Sequence, residues 1–231
     1  MSRGVYSTSN YFSVASGPSN SLPMTLAVWV YPTSDSATDV HALCVSADTN
    51  NDMISMGIEQ NIAGNPAYVM HRGAGSTIRE IFVGSVLQDQ WSHICAVINS
   101  ASSRKLYLNG TPSAENTDAT GALATLVRTS LGIRKLLAYA KPFPGYVAHA
   151  AIWSGIALTD GEIKFLANGG NPLELHSANL VRYWKVNEAT GNLADSSGNG
   201  ITLPQVGTVA DGGTNPVVPA PVNTGDIFTV L

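Results

Sequence analysis

The first two thirds of the chain is a succession of short β-prone runs cut by turn clusters, and that spacing leaves few folds open. "MTLAVWVYP", "VHALCVSA", "DMISMGIEQ", "AYVMHRG" and "TIREIFVG" are each dense in β-branched, aromatic and aliphatic residues. Between them fall "DTNND", "AGNP" and "GAGS", whose Gly, Asn, Asp and Pro suit the dihedrals of turns. Many short strands at short intervals specify an antiparallel sandwich or barrel. The stretch "QWSHICAVINSASSRKLYLNG", Gln90 to Gly110, shows the repeating unit. Trp91 opens a strand, "SASSR" forms a small polar tip, and the return strand ends in Asn109-Gly110. Alternation places Leu26, Val28, Val30, Ile94, Ala96, Ile98, Leu106, Leu108 and Ile152 on inner faces. Trp91 is expected to pack at a strand edge inside the sandwich, serving the fold.

One helix stands out. "LTDGEIKFLANGG" sets Thr159 three residues before Glu162, a capping box, with Ile163, Leu166 and Ala167 on one face and Gly169-Gly170 as the stop. The spacing predicts a helix over 159–168. A further extended block, "NLVRYWKVNE", and a turn, "DSSGNG", follow. From Pro204 the composition shifts to aperiodic Pro and Gly. The expected organisation is an all-β, two-sheet antiparallel jelly-roll domain with one short helix over 1–203, then an extended arm over 204–231. The arm ends in "DIFTVL", an apolar tip whose Ile227, Phe228, Val230 and Leu231 are the expected partner-binding residues.

Composition narrows the function classes. A net charge of −4, with scattered Lys and Arg, argues against nucleic acid, which needs a basic stripe. No apolar run approaches the length of a membrane span, and "MSRGVYSTSNYFSV" has no apolar h-region, so neither a membrane nor a secretory route is expected. Cys44 and Cys95 sit in apolar runs and read as buried thiols. Charged residues are only 12% of the chain, which suggests a surface covered in an assembly.

Candidate chemistry is sparse. Asp48, Asn50, Asp52 and Glu59 imitate a calcium-loop spacing, yet Met53 stands where the sharp turn needs Gly, and a hairpin tip is the better reading. Glu59 and Glu80 are strand-borne carboxylates without the alternating acidic string that glycan hydrolysis uses. No Gly-x-Ser-x-Gly elbow occurs, and the histidines do not fall at metal-ligand spacing. His93 and His149 are expected to hydrogen-bond locally. Trp29, Trp153 and Trp184 lie in apolar runs, so core packing rather than a sugar-stacking platform is expected for most of the four tryptophans. No catalytic residue, metal or cofactor is expected.

The order of pieces resembles a known family. "NYFSV", "MTLAVWVYP", the Gln90 to Gly110 hairpin and "FPGYVAHAAIWSGIALTDGEIKFLANGG" are similar to the laminin-G-like branch of the concanavalin A-like jelly rolls over roughly residues 5 to 205. The family shows Trp-x-His opening a strand, Tyr-x-Asn-Gly closing one, and a Gly-Tyr strand leading through Trp into a capped helix. "LVRYWKVNEATGNLADSSGNG" follows the helix here, as in some phage-encoded members. Many relatives carry an acidic pair where this chain has Ala148 and His149, so the metal or polar role of that acidic pair is not expected to carry over here.

Three functions follow as expectations. The first is a non-enzymatic virion structural protein of a tailed phage, a capsid decoration protein made in the host cytoplasm. Its partners would be the major capsid protein or another virion protein, and it would form a homo-oligomer, a trimer in preference. The second is a carbohydrate-binding module meeting surface glycans. The third, a glycan hydrolase or lyase, is the least expected.

Overall fold

The computed structural model describes residues 2–4, 6–36, 38–48, 52–136, 139–213 and 216. The strands run β1 (Arg3–Gly4), β2 (Tyr11–Val14), β3 (Met24–Pro32), β4 (Asp39–Ala47), β5 (Asp52–Glu59), β6 (Ala67–Arg72) and β7 (Ile78–Val83). Then come β8 (Ser92–Ser100), β9 (Ser103–Leu108), β10 (Thr111–Pro112), β11 (Arg128–Leu131), β12 (Ile133–Leu136) and β13 (Tyr139–Pro142). β14 (Gly145–Ser154) leads into helix α1 (Asp160–Ala167), and β15 (Leu180–Trp184), β16 (Gln205–Val206) and β17 (Ala210–Asp211) complete the set.

Two antiparallel sheets form the sandwich. The first has the order β10-β9-β8-β3-β14-β1-β17, with β15 also pairing β14. The second has the order β16-β2-β11-β4-β5-β6-β7. Every residue expected on an inner face is buried between them, in one cluster with Leu43, Ile54, Met56 and Val69. Leu26, for example, stands opposite both Ala96 and Ile152. Each such aliphatic side chain contributes about 1.5–3 kcal/mol by leaving water. The β12–β13 hairpin covers part of the second sheet's outer face, where Leu136 joins Cys44, Met53, Tyr68 and Met70. Cys44 and Cys95 are buried free thiols.

Helix α1 covers part of the first sheet's outer face. Thr159 accepts the Glu162 N–H while the Glu162 carboxylate accepts the Thr159 N–H, so the capping box is formed. Ile163 and Leu166 bury against Cys95, Tyr107 and Trp153. The Asn109-Gly110 turn passes close beneath the helix. Gly110 has φ +78, and a Cβ there would lie 3.2 Å from the Lys164 Cα.

The first residues of the segment expected as an arm from 204 pair with the sandwich. Gln205–Val206 pairs with β2, Ala210–Asp211 pairs with β1, and Val209 is buried in the core. The composition of this segment is aperiodic because its pairing is brief and interrupted. A fully buried arginine fastens it: the Arg3 guanidinium donates to the carbonyls of Ala210, Val209 and Glu188 and to Gln205 Oε1. It also sits 5.3 Å from the Phe12 ring centroid. The tip residues Ile227, Phe228, Val230 and Leu231 lie outside the described residues.

Candidate functional site

Beyond α1, the outer face of the first sheet carries a strip of aromatic side chains. The inner positions of β3 are Leu26, Val28 and Val30, so Trp29 and Tyr31 point outward. Tyr31 stands opposite Tyr146 of β14, with ring centroids 5.8 Å apart, and packs against Trp91 at 5.4 Å. Trp29 stands opposite His93 of β8, with centroids 5.3 Å apart. The expectation that Trp91 packs inside the sandwich is therefore corrected. It shares the outward parity of His93 and Cys95, is half-buried, and is absent from the inter-sheet cluster. Burial of most of the tryptophans is as expected: Trp153 and Trp184 are fully buried and Trp29 is 8% exposed, while Trp91 is half-buried beside Tyr31 on the outer face.

A β-bulge shapes the other end of the strip. Along β14 the register with β3 shifts between Ala148 and Ala151, so His149 and Ala150 intervene where one residue would pair. His149 takes φ +48, a left-handed conformation that costs a non-glycine residue about 1–2 kcal/mol. The bulge also divides the neighbours of β14. Val147 pairs with β1, while Ala150 to Trp153 pair with β15. His149 lies over β15, its ring stacked on Tyr183 at 6.1 Å and its Nδ1 2.8 Å from the Tyr183 hydroxyl. Its backbone N–H donates to the Lys185 carbonyl.

Most of these side chains line two hollows that share Trp29, and Tyr146 is among the walls of neither. One, of about 280 Å³, is walled by His93, His149, Tyr183 and Lys185 on the sheet and by Gly170, Asn171 and Pro172 after the helix. The other, of about 450 Å³, is walled by Tyr31, Trp91, Asp89, Gln90, Asn109 and Asn168. The Tyr-x-Asn-Gly ending has a definite task here. The Asn109 side-chain oxygen accepts the His93 N–H at 2.8 Å, and the Asn109 N–H donates to the His93 carbonyl. Those two bonds lock the end of the hairpin and hold the Asn109 amide at the cleft.

Two buried polar atoms at this face, His93 Nδ1 and Trp91 Nε1, make no hydrogen bond among the described residues. The expectation of local bonding therefore holds for His149 and fails for His93 Nδ1. Burial first, and then the neighbouring His149, push His93 down to about 3. Burial is the largest cause that lowers His149 to about 4. Both rings are neutral near pH 7.

The other candidates are placed elsewhere. Asp48 is held by Arg128 through both carboxylate oxygens, and Asp52 accepts the Ala124 N–H. Glu59 lies at the far end of β5 from Asp52, about 23 Å away at strand rise, so the calcium-loop spacing does not close on an ion. Asn50 lies outside the described residues. Glu59 and Glu80 both point to the outer face of the second sheet. Burial, and then the Glu80 charge, raise the Glu59 carboxyl. Asp195 of "DSSGNG" is a turn hub accepting from Tyr183, Ser197 and Ile201. No cluster of three His, Cys, Asp or Glu residues suited to a metal occurs among the described residues.

Residues 6–164 match the family model described as the concanavalin A-like lectin/glucanases superfamily. A comparison with curated proteins returns no match. Among solved structures the chain is similar to a heptameric SAP-like pentraxin from Limulus polyphemus, at 14% identity and TM-score 0.57, over 72% of this chain and 80% of that one. It is similar to the CBM40 of a Ruminococcus gnavus IT-sialidase bound to α2,3-sialyllactose, at 16% identity and TM-score 0.52, over 64% and 84%. It is also similar to the enzymatically active domain of bacteriophage CBA120 tailspike protein 2, at 11% identity and TM-score 0.52, over 74% of this chain and 27% of that one. At these identities the likeness is one of fold, and the same scaffold carries binding modules and an enzyme domain alike. A two-sheet jelly roll with a capped helix on its outer face, matched by the family model across most of its length, identifies the chain as a member of the concanavalin A-like lectin/glucanases superfamily, in its laminin-G-like branch.

Proposed function

We propose that this chain is a carbohydrate-recognition module that binds without turnover, and that its site is the outer-face cleft over Trp29. The observation that carries the reading is the pair Trp91–Tyr31, with ring centroids 5.4 Å apart, lining the cleft beside the exposed amide side chains of Gln90, Asn109 and Asn168. Sugars present C–H faces that stack on aromatic rings and hydroxyls that need amide and imidazole partners, and this cleft offers both. The CBM40 similarity supports a glycan ligand in general and no particular one. A glycan array followed by calorimetry tests it. Trp91→Ala and Tyr31→Ala should each weaken binding of any array hit by at least about 1 kcal/mol. Hits that bind both variants as tightly as wild type would place the glycan elsewhere and end this reading. A reducing-sugar assay on the same hits should show no turnover.

The reading as a phage virion component, a capsid decoration protein in a homo-oligomer, rests on the charge-poor composition and on the apolar residues closing the arm. It is compatible with a glycan site, because a module on a particle can hold the particle and meet a surface. Mass spectrometry of purified particles tests it, a high-copy chain being the expected result.

A further inference from the structure

We infer that the cleft prefers an acidic sugar, and that Lys185 receives its carboxylate. The inference rests on the cleft being the glycan site. Lys185 is half-buried at the end of the cleft that holds His149 and Tyr183, and no Asp or Glu lines that end among the described residues. No carboxylate forms an ion pair with Lys185 within the described chain. The one carboxylate among the described lining residues, Asp89, lies in the other hollow, beside Trp91 and Gln90. The site is thus polarised along its length, with a cation at one end and an acid at the other.

The surroundings favour an anion at the Lys185 end. The neighbouring imidazoles are neutral near pH 7, so they add hydrogen-bonding capacity without repelling the ammonium. When Tyr183 donates to His149 Nδ1, the imidazole proton sits on Nε2. His93 Nδ1 is an unpartnered atom on a side chain 2% exposed, and a sugar hydroxyl can satisfy it. Trp29 and the Gly170–Pro172 segment limit solvent at this end, which strengthens a charge-assisted bond. A carboxylated sugar would point its acid group at Lys185 and lay the next residue of its chain over Trp29 toward the Tyr31–Trp91 platform.

The test compares oligogalacturonate, oligomannuronate and oligoglucuronate with their methyl esters, which keep the stereochemistry and remove the charge. With wild-type protein, at least one acid form should bind about tenfold or more tightly than its ester, and added salt should reduce the difference. Lys185→Gln should abolish the difference in affinity between acid and ester. Acid and ester of equal affinity, or a preference that survives in Lys185→Gln, would overturn the inference. Failure of all these probes would overturn it too. In either case, neutral array hits that are lost in Trp91→Ala would show that the cleft still binds glycans.

Discussion

Trp91 and Trp153 are the same side chain in two situations, and the contrast separates binding from stability. Trp153 is fully buried under α1 and donates its Nε1–H to the Leu175 carbonyl. Trp153→Ala should cost about 3–5 kcal/mol, read from the denaturant midpoint. Trp91 meets Tyr31 in a tilted contact and is only half-buried, so Trp91→Ala should cost clearly less stability while weakening glycan affinity. His93 makes a second prediction. Its folded pKa is about 3, whereas in the unfolded chain it is about 6.5. Between those values the unfolded state binds a proton that the folded state refuses. Stability is therefore complete above about pH 6.5 and falls as pH drops toward 3, by up to about 1.4 kcal/mol per pH unit for this group. Urea melts between pH 7 and 4 should show a shallower fall for His93→Gln than for the wild type. Equal slopes would mean that His93 keeps its proton when folded.

At the level of elements, what was legible in the sequence was local. Thr159 and Glu162 announce the helix because a capping box is made by residues three apart, and α1 begins where they place it. Thr159→Ala should cost about 0.5–2 kcal/mol, measurable by thermal melting. The inner faces were legible because a strand alternates with period two, and one parity of β3, β8 and β14 is apolar throughout. The bulge was not legible. "VAHAAIW" reads as an ordinary strand, and only the register against β3 shows that His149 and Ala150 occupy one step. The cleft was hidden for a related reason. Trp29, Tyr31, Trp91 and Tyr146 come from three different segments, each apolar in its own right, and meet only when β8, β3 and β14 lie side by side. Arg3–Gly4 was missed as a strand because two residues carry no periodicity.

The whole molecule is closed by segments far apart in sequence. β1 lies between β14 and β17, so the first sheet is complete only when residues near both ends of the described chain are in place. Removing residues 217–231 should leave the sandwich folded, with an unchanged melting temperature, and should reduce oligomerisation or particle binding if the arm tip is a docking segment. Removing everything after 203 should do more. It strips β16 and β17, uncovers core residues around Val209, and leaves Arg3 buried without most of its acceptors. A large loss of melting temperature in the second truncation and none in the first is the expected pair of results. The pairing of Arg3 with Asp211 also fixes how the molecule answers a mechanical load. Tension applied between residues 3 and 211 pulls across a two-residue ladder, so it peels one hydrogen bond at a time, whereas the long β3–β8 ladder would resist sliding with all its bonds together. In an optical trap the first yielding event should be soft and small, the release of one arginine from its ring of carbonyls, with the rest of the sandwich still standing behind it.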